Sequence, residues 1–312
     1  MVDTLALARG GNSTGRVPGS VLGRYRDVVV ISGAHPKYLD LSQSHRGELR
    51  AKVQRQDFSI RDPEAGIGFK ATTSRNPGGH HSPRHRHNFD QLRFVLEGEV
   101  TYAQKNYGPG WLGYFPEAVP YGPHGGTEHR EIVMQFPGPS KTPYYTPDQT
   151  REGQRRLRDT GATLAEGLCI WPDGRKQDGF EALWELMAGR QIEYPPPRYD
   201  LPVWIDTSRF DWEPTDWPGV SIKRVVQFNA CGPLVELFKM EPDAVIPAGQ
   251  TDALAMRFVY DGEIEYRGEL CPAVSGLYYP PTAPHDAMRS RSGGLVLSVQ
   301  LQAGGSGPPR ST

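Results

Sequence analysis

The pattern of apolar and polar positions predicts a chain built mainly of short strands. Residues 128–136 (EHREIVMQF) alternate with the period of two that is typical of a half-buried strand. Residues 91–104 and 113–122 are further strand segments separated by turn residues. Glycine (36 residues) and proline (29 residues) are abundant and the mean hydropathy is −0.56, as expected for many strands joined by turns. We therefore expect an all-β core.

The strand pattern occurs twice. LRFVLEGEVTY at 92–102 recurs as MRFVYDGEIEY at 256–266, a shift of 257 − 93 = 164 residues. Gly98 and Gly262, and Tyr102 and Tyr266, are identical pairs within these segments, and the same shift, without a gap, relates four further pairs: Pro83 and Pro247, Tyr114 and Tyr278, Pro116 and Pro280, and Pro120 and Pro284. The sequence therefore predicts a duplicated domain.

The segment between the two copies carries helix signals. Asp178 is a candidate N-cap, with Glu181 completing a capping box and Gly189 ending the helix. A more polar helix is predicted to begin at Thr146–Pro147 and to end near Gly161. The predicted organisation is an N-terminal arm (1–55), a first barrel (56–145), a helical linker (146–200, with 195–202 extended) and a second barrel (201–312).

Composition limits the classes of partner. The formal charge of −1 provides no overall field for nucleic acid or anionic membrane, and no DNA-binding helix pair is evident, so we expect a small-molecule partner. The opening residues lack a secretory signal pattern, which predicts a cytoplasmic location. The cysteines, Cys169, Cys231 and Cys271, form no CxxC pair and are expected to be buried thiols. A homo-oligomer is also expected.

Two histidines are the strongest metal signal. Side chains two residues apart on a strand project from one face, so His85 and His87 are expected to point together into a barrel. If the chain then returns antiparallel, Gln91 lies beside them, followed by Arg93 on the same face. Imidazole and amide ligands with open positions suit Fe(II), Mn(II), Ni(II) or Zn(II) better than Ca(II) or Mg(II).

The spacing around these histidines resembles the first motif of the cupin superfamily. Gly79, His85, His87 and Gln91 fall at the motif positions, with glutamine where glutamate is usual. The second cupin motif is matched over residues 110–121, although alanine and tyrosine replace its glycine and histidine. The resemblance implies two tandem cupin barrels of the double-stranded β-helix, or jelly-roll, type joined by a short helical linker.

The third histidine of the family falls on Tyr121. The remaining ligand is therefore open between Tyr121, His124, His129 and water, and Tyr121 is alternatively a pocket-lining or proton-transferring residue. His80 and His81 are expected at the rim. In the second copy the shift places Gly249, Thr251 and Ala255 at the ligand positions and leaves only His285, so we expect no metal there.

The stretch HRHNFDQLRFVLEGE resembles the gentisate and salicylate ring-cleaving dioxygenases. That resemblance implies an Fe(II) dioxygenase acting on a small aromatic or enolisable acid, with Arg93 binding the acid. Arg257 repeats Arg93 in the second copy, so a structural ion pair with Glu97 or Glu99 is the alternative. The alternative functions are a non-redox isomerase, lyase or cyclase, with Tyr121 or His124 as general acid or base, and a small-molecule-binding bicupin without catalysis.

Overall fold

The computed structural model describes residues 21–22, 28–34, 39–44, 47–57, 60–62, 67–79, 81–140, 142, 145, 147–228 and 232–301. His80 and Cys231 lie outside these residues. The chain divides into two compact units, one consisting mainly of 36–211 and the other mainly of 212–301. We call them the first and the second barrel and describe each by itself.

The fold consists mainly of strands, which confirms the all-β prediction. In chain order the strands are β1 (Val21–Leu22), β2 (Val29–Ile31), β3 (Leu39–Ser44), β4 (Gly47–Asp57), β5 (Ile60–Asp62), β6 (Ile67–Asn76), β7 (His81–Ser82), β8 (Asp90–Tyr102), β9 (Lys105–Tyr107), β10 (Trp111–Phe115), β11 (His124–Phe136), β12 (Thr163–Ala165), β13 (Leu168–Ile170), β14 (Lys176–Asp178), β15 (Val203–Asp206), β16 (Glu213–Pro214), β17 (Val220–Gln227), β18 (Leu234–Met240), β19 (Val245–Ile246), β20 (Gly249–Gln250), β21 (Leu254–Tyr266), β22 (Glu269–Pro272), β23 (Ser275–Tyr279), β24 (Pro284–His285) and β25 (Met288–Leu301). The helices are α1 (Pro147–Asp159) and α2 (Gly179–Ala188), with a 3₁₀ turn at Thr207–Arg209.

The first barrel is built around β8. Its sheet runs in the order β1-β5-β6-β11-β8-β10-β15, and β8 pairs antiparallel with β11 and β10. Gln91, Arg93 and Val95 share one face of β8, and their partners on β11 are Gln135, Val133 and Glu131. We call this the inner face, because from it Gln91 contacts Tyr121, one of the candidate ligands.

The second barrel repeats this plan. Its sheet order is β16-β17-β18-β25-β21-β23-β2, and β21 again lies between two antiparallel partners. Strand β21 begins and ends 164 residues (254 − 90) after the corresponding ends of β8. Strand β23 is shifted from β10 by the same number of residues. The repeat predicted from the sequence is therefore confirmed strand by strand.

Each barrel takes an edge strand from beyond the predicted domain limits. Val203 of β15 pairs with Tyr114 in the first barrel, whereas Val29 of β2 pairs with Tyr278 in the second. The units consequently divide between Asp211 and Trp212 rather than at the predicted 200/201, and β2 does not stay within an N-terminal arm. Both segments are short and rich in β-branched residues, which suits them to cover an open sheet edge.

One glycine in each barrel explains part of the repeated motif. Gly98 and Gly262 have φ of 67° and 71°, and a Cβ at either position would lie 2.0 or 2.3 Å from a backbone oxygen of the neighbouring strand. Only glycine fits such a close approach at positive φ. Both residues lie where the strand pairing shifts register, so they bend the long strands.

The predicted helical linker is more elaborate than two helices. Both helices are present, and Asp178 caps α2 by accepting hydrogen bonds from the backbone N–H groups of Phe180 and Glu181. Strands β12 to β14 form a three-stranded sheet between the helices, and Leu157, Cys169 and Leu183 are buried in a core there. The region belongs to the same unit as the first barrel.

Two further sequence expectations concern thiols and membranes. Cys169 and Cys271 are both buried, as expected. Within the described parts of the chain, neither helix has the length and apolar character needed to cross a membrane.

Candidate metal centre

The His85–His87 segment is extended but is not a regular strand. His85 forms an isolated antiparallel bridge with Tyr121, in which the two backbone N–H···O distances are 2.9 and 2.7 Å. The His87 carbonyl accepts a hydrogen bond from Ala118 N at 2.8 Å. The turn of the second motif therefore holds the first motif in place, which corrects the prediction that both histidines lie on a strand.

The two imidazoles lie together and are buried. His85 and His87 are 7% and 4% exposed, and their ring centroids are 4.9 Å apart. His85 Nδ1 lies 2.5 Å from the Pro83 carbonyl oxygen, and His87 Nδ1 lies 3.0 Å from the hydroxyl of Tyr121. Histidines that bind metals commonly use one ring nitrogen for the ion and the other for such an oxygen. Nε2 of both rings is thus the nitrogen that suits a metal.

Gln91 enters the site through Tyr121. Its Nε2 donates to Tyr121 Oη at 3.2 Å, and its Oε1 accepts from Gln135 Nε2 at 2.7 Å. Together with the contact between Tyr121 and His87, these bonds form a chain of two amides, a phenol and an imidazole, in which all members except the half-buried Gln135 are buried. The structure therefore places Gln91 and Tyr121 against His87 Nδ1 and engages both amide atoms of Gln91 within the protein.

The pair of imidazoles fits one metal ion. Two imidazoles bound at about 2.1 Å and at roughly 90–110° to one another have ring centroids about 4.6–5.3 Å apart, which includes the 4.9 Å between His85 and His87. Among the described residues, no three His, Cys, Asp or Glu side chains are arranged to hold a metal. The histidine pair is thus the part of the predicted ligand set that the structure assembles.

The other predicted histidines differ in their position. His124 is buried near the pair, with its ring 5.9 Å from that of His85 and 6.1 Å from that of Tyr121. His129 lies further along β11, opposite Gly98, and its Nδ1 is 2.8 Å from the Thr127 carbonyl oxygen. His81 is exposed on β7, as expected for a rim residue. His124 is consequently the better placed of the further imidazoles.

Arg93 is paired with a carboxylate that the sequence analysis did not identify. Its Nη1 donates to Glu131 Oε1 at 3.0 Å, and Asn76 Nδ2 donates to the same oxygen at 3.3 Å. Glu97 instead pairs with Arg130, and Glu99 accepts from Asn106. An ion pair was the alternative to an acid-binding role for Arg93, and its predicted partners, Glu97 and Glu99, were wrong because Glu131 lies on the neighbouring strand.

Helix α2 covers the histidine segment, a contact that no motif indicated. Phe180 contacts the rings of His87 and Phe89 at centroid distances of 5.4 and 5.8 Å. Arg86, between the two histidines, binds Glu181 at 3.2 Å and lies 3.8 Å over the ring of Tyr194. The Glu181 carboxylate thus binds side chains next to the site, a role different from the predicted capping box. In the sequence, the apolar face of this helix was the feature that could have indicated the contact with the histidine segment.

A buried carboxyl group supports the motif from the opposite face of β8. Asp90 accepts hydrogen bonds from Glu117 N at 2.7 Å and from Tyr114 Oη at 2.9 Å. Burial raises the pKa of Asp90 to about 6, and the hydrogen bonds offset only part of that rise. Asp90 therefore ties the start of β8 to the turn that carries Tyr121.

The second barrel has lost this arrangement. Gly249 and His285 pair across β20 and β24 as His85 and Tyr121 do in the first barrel. Burial lowers the pKa of His285. Tyr279, Met288 and Ala255 belong to an apolar core at positions equivalent to Phe115, His124 and Gln91.

Comparison with known proteins agrees with this architecture. The sequence profile of the ChrR cupin-like domain matches residues 201–304, a range that includes strands β16 to β25 of the second barrel. No curated protein is significantly similar to the chain in sequence.

Solved structures extend the likeness to both barrels. A candidate dioxygenase from Nostoc punctiforme is 13% identical with a TM-score of 0.59, covering 89% of this chain and 84% of that one. Oxalate decarboxylase from Bacillus subtilis is 14% identical with a TM-score of 0.54, covering 90% and 78%. Another structure of that enzyme, 13% identical with a TM-score of 0.52 and covering 90% and 79%, concerns its Mn(II) centres. At such identity the likeness concerns the fold. The chain is thus a bicupin in fold, with two cupin barrels in one polypeptide.

Proposed function

We propose that the first barrel is a metal-dependent enzyme site for a small molecule and that the second barrel has a structural role. The observation that carries the proposal is the buried pair His85 and His87, spaced for one ion and held by an oxygen at each Nδ1. The leading activity is an Fe(II) dioxygenase. Zn(II), Mn(II) and Ni(II) are the alternative metals.

The protein's own groups have distinct roles in this proposal. His85 and His87 would hold the metal through Nε2, with water or substrate completing its coordination. When bound, a metal of this kind supplies a positively charged centre at which substrate oxygens, and for iron O₂, can be activated. The Pro83 carbonyl fixes the orientation of the His85 ring, and Tyr121 fixes that of His87.

A non-redox reaction is the second candidate, and the position of Tyr121 favours it. Tyr121 is 2% exposed, and its hydroxyl lies between Gln91 and His87, within hydrogen-bonding distance of an imidazole nitrogen with which it can exchange a proton. An isomerase, lyase or cyclase needs such a group to donate or remove a proton beside a carbonyl. In that reaction Tyr121 would be the acid or base.

Metal analysis of the purified protein, followed by an anaerobic absorption spectrum before and after the addition of O₂, separates the candidates. Iron whose spectrum changes with O₂ supports the dioxygenase, whereas stoichiometric zinc supports the non-redox enzyme. A protein that stays free of metal after incubation with each of the four ions would contradict both and leave a binding barrel.

A further inference from the structure

A second polar cluster lies on the inner face, next to the candidate metal centre. Arg93 follows Gln91 by two residues on β8, a distance of about 7 Å along the strand. Its guanidinium pairs with Glu131, and Asn76 donates to the same carboxylate oxygen. Ser74 lies directly opposite Glu131 in the pairing of β6 with β11. The Glu131 carboxylate thus balances the charge of Arg93.

Part of this cluster has no partner within the described chain. Arg93 Nε, Glu131 Oε2 and Ser74 Oγ are buried without a hydrogen bond there, and Glu131 is only 3% exposed. Native proteins rarely leave such groups unsatisfied, least of all a carboxylate oxygen. These atoms offer one donor, one acceptor and a hydroxyl that can act as either.

The second barrel shows that the barrel itself does not require this cluster. Strand pairing places Val296, Phe238 and Met240 at the positions of Glu131, Ser74 and Asn76. Arg257, the equivalent of Arg93, lies 4.8 Å over the Tyr279 ring and donates to Met288 Sδ at 3.2 Å. Val296 therefore replaces Glu131, and the carboxylate that interacts with Arg257 is Glu236, which lies on β18. An acid at the Glu131 position is thus not needed to retain the arginine, which points to a role for Glu131 beyond folding.

We propose that Arg93 and Glu131 recognise an uncharged ligand group that presents an acceptor beside a donor, as a carboxamide does. The carbonyl oxygen would accept from Arg93 Nε, and the N–H would donate to Glu131 Oε2, with Ser74 as a further partner. A carboxylate has only acceptors and would face the negative charge of Glu131. This inference rests on the proposed function for its site, and it replaces the acidic substrate implied by the sequence resemblance with a neutral one.

Benzamide and benzoate are suitable probes, because they share one shape and neither needs a metal for binding. Calorimetric titration of the full chain in excess EDTA should give benzamide binding about tenfold tighter than benzoate. Glu131→Gln should reverse the preference by about the same factor, because the glutamine amide can donate to a carboxylate and the charge of Arg93 is no longer neutralised. Equal affinities in the wild type, binding of neither probe, or an unchanged ratio in Glu131→Gln would overturn the proposal.

Two variants control the result. Glu97→Gln removes the same charge from an exposed pair with Arg130 and should leave the ratio unchanged. Ser74→Ala keeps the ion pair and should weaken the binding of benzamide about fivefold while leaving the binding of benzoate unaffected. If circular dichroism shows that Glu131→Gln is unfolded, Ser74→Ala decides the test. Unchanged benzamide binding by Ser74→Ala would then overturn the proposal. Replacing His85 and His87 with alanine should abolish metal binding but keep the probe ratio, which separates failure of this inference from failure of the proposed function.

Discussion

The inner faces of the two barrels consist of side chains at equivalent strand positions, but these side chains are more polar in the first barrel than in the second. Where the first barrel has Gln91 and Glu131, the second has Ala255 and Val296 at equivalent positions in the sheet. The second interior is an apolar core, whereas the first buries amides, imidazoles and an ion pair. Strand pairing and turn glycines are thus sufficient for the fold, and the polar inner face of the first barrel is an addition that serves another purpose.

The comparison predicts unequal costs for truncating equivalent inner-face residues. Phe238→Ala should lower the free energy of unfolding by about 3–5 kcal/mol, because it leaves a cavity in a close-packed core. Ser74→Ala, at the equivalent position, should change it by less than about 1 kcal/mol, because its hydroxyl has no partner in the described protein. Urea unfolding followed by circular dichroism measures both. Equal losses of unfolding free energy in the two variants would contradict the inferred difference between the two interiors.

Asp90 should make the stability of the first barrel depend on pH. Its folded pKa of about 6 lies above the ordinary value of 3.8, so the folded state binds the proton more tightly. The stabilisation is present at low pH and is lost as pH rises through about 6, a change of about 2–3 kcal/mol. Asp90→Asn should remove this dependence in unfolding experiments between about pH 4 and pH 7. Leu254 is the residue of the second barrel at the position equivalent to Asp90. The control variant Leu254→Asn should leave the pH dependence of stability intact.

Tyr121 should strengthen metal binding through His87. Tyr121→Phe removes the hydroxyl from His87 Nδ1 and should lower metal affinity by about tenfold, because the partner of a ligand's second nitrogen orients the ring. Tyr114→Phe also removes a buried hydroxyl, but on the other face of the sheet, and should leave affinity unchanged. Competitive titration with a chelating dye measures both variants. Complete loss of metal in Tyr121→Phe would instead indicate that Tyr121 is itself a ligand.

The smallest effect concerns His285, the residue equivalent to Tyr121. Burial lowers its folded pKa, so the unfolded state binds the proton more tightly and stability declines as pH falls below the ordinary value of 6.5. This direction is opposite to that expected from Asp90. Unfolding of His285→Gln at several pH values should show a weaker loss of stability on the acid side. If the stability of the variant depends on pH as that of the wild type does, His285 has the same pKa in the folded and the unfolded state.

Sequence reasoning succeeded where the signal was local. The 164-residue repeat, the cap at Asp178 and the proximity of His85 to His87 depend on spacing, and the structure contains all of them. It failed for contacts between distant segments. The partner of Arg93 is 38 residues away and was sought on the same strand, and Phe180 reaches His87 from a helix whose packing the pattern did not specify. The edge strands β2 and β15 were missed because alternation identifies a strand but not its neighbour.

Metal content per chain tests the central contrast between the barrels most directly. Protein stripped with a chelator, reloaded with Mn(II) or Zn(II), and freed of excess ion should retain one metal per chain. The double variant His85→Ala, His87→Ala should retain none while keeping its circular dichroism spectrum, and His285→Ala should still retain one. Full metal content in the double variant, or loss of metal in His285→Ala, would contradict the assignment of the site to the first barrel.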